Sequence, residues 1–173
     1  PVELALTGGK TLKIVGKIDR VGLYRDAHSG KNYLRIVDYK TGSTKFDLSD
    51  IHRGFNLQML LYLYTLLQNG TSRYGKVYPA GVLYSHVAGP KIPDGNKVLS
   101  ESGDDENADY KADVSGLLVA DADIIFAMDS TGSGTYIPVK LKAGELAESA
   151  ATLPEDDFFA LLGEASALAS DMA

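Results

Sequence analysis

The sequence predicts an α/β fold, a mixed sheet flanked by helices. Two observations carry this. Short runs with period-two alternation and β-branched residues read as strands, and they are interleaved with two longer stretches of helical period. The 173 residues are 45% apolar and 23% charged, an ordinary globular balance with enough length for a real core. One domain spanning residues 1–173 is expected.

Residues 12–21 alternate, with Leu12, Ile14 and Ile18 against Lys13, Val15, Lys17 and Asp19, and read as a strand. Asp26-Ala27-His28-Ser29-Gly30 is a polar turn, and Tyr33 to Val37 supply a second strand, so residues 12–39 read as a hairpin. Ser49 or Asp50 is expected to cap a helix running to about Gln68, stopped by Asn69-Gly70. Its apolar residues, among them Leu57, Met59, Leu60 and Leu63, predict deep burial. Residues 77–87 read as a third strand. Residues 90–113 are polar and acidic, long for a loop, and residues 94–113 are expected to be a mobile acidic loop. Residues 116–128 return to apolar character as strand or helix, and residues 135–141 resemble an edge strand because Pro138 cannot donate to a ladder. Thr152-Leu153-Pro154-Glu155 resembles a capping box opening a last helix to about Ala169, with Phe158, Leu161, Leu162, Ala165 and Leu168 as its apolar stripe.

Composition narrows the chemistry. The absence of cysteine excludes disulfides, thiolate zinc and iron–sulfur ligation within this chain. Three scattered histidines leave oxygen ligands, hence Mg²⁺, Mn²⁺ or Ca²⁺, for any metal. No apolar run approaches the length of a membrane span, and residues 1–9 lack a signal-peptide pattern. A start at Pro1 is read as that of an excised piece. The net charge of −6 is uneven: residues 1–76 hold twelve Lys and Arg against six Asp and Glu, whereas residues 77–173 hold five against seventeen. The basic half is compatible with a phosphate-bearing ligand. The lack of Trp and the 9% aromatic content predict no stacking platform for single strands.

One ordered set of residues carries chemistry: Gly16-Lys17-Ile18-Asp19-Arg20, then Val37-Asp38-Tyr39-Lys40-Thr41-Gly42, then Gln58 and Tyr62. Asp38 and Lys40 are two apart on a strand and leave the same face. Gln58 and Tyr62 are four apart on a helix and share a face. Simple hairpin register is not expected to bring Asp19 opposite Asp38, so either a bend or a longer first strand pair is needed. Two converging carboxylates suit a hard divalent cation, and a lysine beside them can neutralise charge developing on a phosphate. A metal held there would polarise a phosphoryl oxygen and acidify water, the chemistry of metal-assisted phosphodiester hydrolysis. The tripeptide alone is uninformative: Asp109-Tyr110-Lys111 repeats it in the acidic stretch, where it reads as solvated loop.

The set Gly16-x-Ile18-Asp19-Arg20, Val37-Asp38-Tyr39-Lys40-Thr41-Gly42 and Gln58-x-x-x-Tyr62 resembles the PD-(D/E)XK nucleases of the RecB type. The segments PAGVLYSHVAGP (79–90), GLLVADADIIFAMD (116–129) and YIPVKLKAGEL (136–146) are similar to the C-terminal nuclease domain of AddB-type proteins. The resemblance runs from about Leu12 to Phe159 and is thin across residues 94–113. It implies a restriction-endonuclease-like core whose first core helix is absent from the chain. It implies Asp19, Asp38 and the Tyr39 carbonyl as ligands of Mg²⁺, with Mn²⁺ as substitute. Lys40 would be the catalytic lysine, and Gln58 and Tyr62 would line the site. Arg20 and Lys45 would face DNA, although a lone arginine pairs by default with a carboxylate.

The implied activity is that of a Mg²⁺-dependent exodeoxyribonuclease, impairment being compatible with a piece that lacks the first helix. It would act in the cytoplasm in a helicase–nuclease complex with an AddA-like partner that processes double-strand ends for recombinational repair. An iron–sulfur cluster is expected only in the parent protein. The alternatives are an inactive member of the fold that guides DNA or braces a partner, and a hydrolase acting on RNA.

Overall fold

A computed structural model describes residues 2–5, 10–41, 46–54, 57–86, 113–146 and 149–172. Strands β1 (Val2–Ala5) and β2 (Thr11–Ile14) pair with each other. The main sheet has five strands, in spatial order β3 (Arg20–Arg25), β4 (Asn32–Lys40), β5 (Val77–His86), β6 (Asp113–Val119) and β9 (Thr152–Leu153). β4 runs parallel to β5 and β6 parallel to β9, while the other pairs are antiparallel, so the sheet is mixed as expected. The central β5 is buried almost throughout, which its nearly unbroken apolar run allows.

Helices α1 (Leu57–Asn69) and α4 (Glu155–Asp171) cover one face, here called the front. Leu34, Ile36, Val82 and Tyr84 from the sheet close against Leu60 and Leu63 of α1 and Phe158 and Leu162 of α4. A short α2 (Thr71–Tyr74) follows α1. The reverse face is covered by α3 (Ala122–Met128) and the segment after it, where Ile125, Ile137 and Val139 meet Val37, Leu83 and Leu118. The small ribbon β7 (Leu141–Lys142) and β8 (Glu145–Leu146) lies beyond.

Several expectations change. The single strand over residues 12–21 is two strands, β2 and β3, which belong to different sheets and are joined by non-strand residues 15–19. The hairpin is β3–β4. The first helical stretch is divided: a 3-10 turn, Leu48–Arg53, is capped by Asp47, whose carboxylate accepts from Ser49 N, and Gly54 ends it at φ +80° before α1 begins. Residues 116–128 are both of the anticipated alternatives in succession, β6 and then α3, switched where Asp121 caps the helix by accepting from Asp123 N and Ile124 N. Residues 135–140 form no edge strand; residues 135–138 bend, and Ile137 and Val139 are buried without a ladder. The capping box does not form. Thr152 instead pairs in β9 and its hydroxyl donates to the Ser149 carbonyl, while Pro154 is the N-cap of α4. Glu155, freed from capping, accepts from Tyr33 Oη at 3.0 Å and pairs with Lys31 at 2.8 Å. The acidic stretch at 94–112 and its Asp109-Tyr110-Lys111 copy lie outside the described residues.

Candidate active site

The turn at residues 26–31 sets the geometry of the site. Asp26 N donates to the Lys31 carbonyl, and the Asp26 carboxylate accepts from His28 N and Ser29 N. That turn fixes the pairs Arg25↔Asn32 through Arg20↔Val37. Continued by one residue, the register places Asp19 beside Asp38. This corrects the expectation that simple hairpin register would keep the two apart. The ladder stops at Arg20, and the Asp19 carboxylate instead caps its continuation, accepting from Tyr39 N at 3.1 Å.

Asp38 and Lys40 leave the front face of β4 together, with Lys40 Nζ 2.5 Å from Asp38 Oδ2. Oδ2 is buried, and the Lys40 ammonium is the one side-chain group shown against it among the described residues. Tyr84 is the register partner of Asp38 on β5, and the Lys40 ammonium stands 5.4 Å from its ring centre. Burial, and then the charge of Asp38, push the Tyr84 hydroxyl up to about 12.

On α1, Gln58 Nε2 donates to Tyr62 Oη at 2.9 Å, as the shared helix face requires. Tyr62 reaches the chain just before Asp19: a Cβ placed on Gly16 would fall on the Tyr62 ring. Glycine at this position is therefore what admits the tyrosine, and the contact ties α1 to the loop that carries Asp19.

The structure thus gathers Asp19, Asp38, Tyr39 and Lys40 at one end of β3–β4 and links Gln58 and Tyr62 to them through Gly16. It separates Arg20, which sits on the reverse face opposite Val37 and approaches Tyr39 Oη at 3.4 Å. Lys45 lies outside the described residues. Sequence reasoning missed Tyr84 as the floor under Lys40 and treated His86 as structural. His86 is the register partner of Lys40, and its Nδ1 lies 3.0 Å from the Asp113 carbonyl. A carbonyl only accepts, so Nδ1 is the donor of this contact, and Nε2 is buried without a partner among the described residues. The signal for both was the alternation of Tyr84 and His86 along β5, which parallel pairing sets beside Asp38 and Lys40 on one face.

Among the described residues, no three His, Asp or Glu side chains converge as a metal cluster. The donor set is two carboxylates with a backbone carbonyl nearby. By its chemistry, all oxygen with two anionic groups, it fits a hard cation, with the buried Asp38 Oδ2 now facing the Lys40 ammonium. No helix among the described residues is long and apolar enough to cross a membrane.

The family model of the PD-(D/E)XK nuclease superfamily matches residues 1–173. A protein from Alkaliphilus metalliredigens, named as an ATP-dependent helicase/deoxyribonuclease subunit, is 35% identical over 176 residues, covering 99% of this chain and 15% of that protein. Proteins of the same name from Clostridium acetobutylicum and Bacillus anthracis are 36% and 33% identical over 90% and 91% of this chain, each covering 14% of the relative. The chain therefore spans about one seventh of the length of these relatives. With the family model matching along its whole length and relatives of at least 33% identity covering 90% or more of it, the chain belongs to the PD-(D/E)XK nuclease superfamily.

Proposed function

We propose that this chain is a metal-dependent deoxyribonuclease domain that hydrolyses the phosphodiesters of one DNA strand. In this reading it is part of a helicase–nuclease that processes double-strand ends alongside an AddA-like partner. The observation that carries it is the buried Asp38 Oδ2 paired with Lys40, one residue before the Tyr39 amide that anchors the Asp19 carboxylate. Superfamily membership and the names of the relatives support the nuclease reading.

Asp19, Asp38 and the Tyr39 carbonyl would hold Mg²⁺, with Mn²⁺ able to replace it. When bound, the cation supplies Lewis acidity towards the phosphoryl oxygen and lowers the pKa of water. The chain's own groups do the rest. The Tyr39 amide holds the Asp19 carboxylate at the end of β4, one residue on from Asp38. Lys40, steadied over the Tyr84 ring, presents an ammonium where charge develops on the scissile phosphate. Tyr62, held by Gln58 and backed on Gly16, fixes the wall from which substrate is positioned.

Calorimetric titration with Mn²⁺ tests the reading. The unaltered protein should bind saturably and Asp38→Asn should not. In the full-length polypeptide with its partner, Asp38→Asn should abolish cleavage of one strand and leave unwinding intact. Cleavage of both strands at the normal rate by Asp38→Asn would sink it.

A further inference from the structure

We propose that the cleft on the reverse face of β3 and β4, with Arg20 and Arg35 at its base, is a backbone groove for single-stranded DNA lying outside the cleavage site. The inference rests on the nuclease reading for the identity of its ligand, but its observations come from the other side of the sheet.

The register pairs Arg20 with Val37 and Gly22 with Arg35, so both arginines leave the face opposite Asp38. Glycine at 22 makes the arrangement possible, because a Cβ there would come within 3.1 Å of Arg35 Cγ and Nε. Arg35 thus lies across the backbone of β3 towards Arg20. Among the described residues neither guanidinium has a carboxylate within ion-pair distance; the pairs formed are Lys31–Glu155 and Lys40–Asp38. Burial first, and the charge of Arg20 second, hold the Arg35 guanidinium below its ordinary range, against a smaller opposing effect of Tyr39. Two like charges, one of them partly desolvated, are left together without a counterion from the fold. An anion is what such a pair lacks, and a phosphodiester matches the guanidinium fork.

The surroundings favour nucleic acid. Two hollows meet at the arginines: one, enclosing about 270 Å³, reaches Tyr39 and Tyr136, and the other reaches Tyr24. Tyr24, Tyr39 and Tyr136 are exposed by 37%, 44% and 63%. Composition predicted no stacking platform, yet the fold sets Tyr39 and Tyr136 in one hollow and Tyr24 in the other, both lined by Arg20 and Arg35, and aromatic rings beside cationic groups are the combination that binds single strands. The groove also adjoins the candidate active site. β3 is an edge strand, Asp19 and Arg20 are consecutive, and Tyr39 serves both faces: its amide holds Asp19 while its hydroxyl meets Arg20. A strand rounding this edge would pass from the arginines to the carboxylates.

The test is photo-cross-linking of a thymidine oligonucleotide carrying 5-iodouracil to the full-length polypeptide in EDTA, with sites mapped by mass spectrometry. Adducts are expected on Tyr39 or Tyr136. Arg20→Gln with Arg35→Gln should cut their yield at least tenfold, and Arg20→Lys with Arg35→Lys should restore only part of it, since an ammonium keeps the charge without the fork. The salt slope of binding, log affinity against log salt, should be shallower by about 1.4 in the double glutamine variant, about 0.7 for each lost single-strand phosphate contact. Arg20→Gln alone gives the reading if the double variant melts early. Asp38→Asn should abolish cleavage with metal and leave the adducts unchanged, so the nuclease reading can fail separately. No adduct on either tyrosine, or a yield indifferent to both arginines, would overturn the proposal. So would displacement by a glutamate-rich peptide as effective as unlabelled oligonucleotide, which would assign the cleft to an acidic protein surface.

Discussion

Gly16 shows how much of the site is decided by a single missing atom. Its Cβ would occupy the space of the Tyr62 ring, so Gly16→Ala must displace either α1 or the loop leading to Asp19. Forcing a methyl into such a contact costs about 1–3 kcal/mol. We expect that loss in denaturant unfolding, with weaker Mn²⁺ binding because Asp19 moves with the loop. Unaltered stability and metal affinity in Gly16→Ala would show that the ring can swing away freely. Lys40 presents the opposite case, a group whose removal should relieve something. Its ammonium is 2.5 Å from the carboxylate that the cation needs. Lys40→Gln should therefore bind Mn²⁺ at least as tightly as the unaltered protein while cleaving about 10²–10³-fold more slowly, the usual effect of losing one charge-stabilising group. Loss of metal binding in this variant would mean that lysine organises the carboxylates instead of competing with the cation.

Among the elements, α4 is where sequence and structure agree most and least. Its apolar stripe is legible: Phe158, Leu162 and Ala165 are buried and help close the core over the sheet. Phe158→Ala should cost about 3–5 kcal/mol of unfolding free energy, the range for a buried aromatic truncation. A smaller loss, read by urea melts, would mean that α1 and α4 collapse into the void. The start of the same helix was not legible, because Thr152 has a competing partner that no local pattern shows, a strand in the sheet. The same physics separates the other elements. Period and turn chemistry identify β4, β5 and α1 because their signals are local. The break between β2 and β3 and the irregular run at 135–140 depend on which surfaces the chain meets, and alternation alone carries no such information.

At the scale of the whole molecule, the two faces of one sheet carry different information. The front-face site was legible as an ordered set of residues, since Asp19, Asp38, Lys40, Gln58 and Tyr62 lie on elements whose type the sequence predicts. Tyr84 and Arg35 were not, because their roles follow from pairing with β4 and β3 across the sheet. The reverse face depends on a tether of a different kind. Asp129, 2% exposed, ends α3 and holds the segment that delivers Ile137 and Val139 to the core. Its Oδ1 accepts from Thr131 N at 3.1 Å and Thr131 Oγ1 at 2.5 Å, and its Oδ2 from Thr135 N at 3.0 Å. Burial alone would raise its pKa, but the hydrogen bonds from Thr131, Thr135 and Gly134 outweigh burial and hold the carboxyl below its ordinary 3.8. A carboxylate depressed on folding stabilises the protein above its unfolded pKa, and that stabilisation fades as pH falls through the folded value. Hydrogen bonds to a charged group contribute about 1.5–3 kcal/mol. Asp129→Asn keeps the shape and loses the charge, so urea unfolding should show the unaltered protein ahead by about that amount at pH 7. The gap should persist down to about pH 4 and narrow below it, as the native carboxylate takes up its proton. A gap that stays constant to pH 3 would mean that shape alone, not the carboxylate's charge, ties α3 to the segment sealing the reverse face.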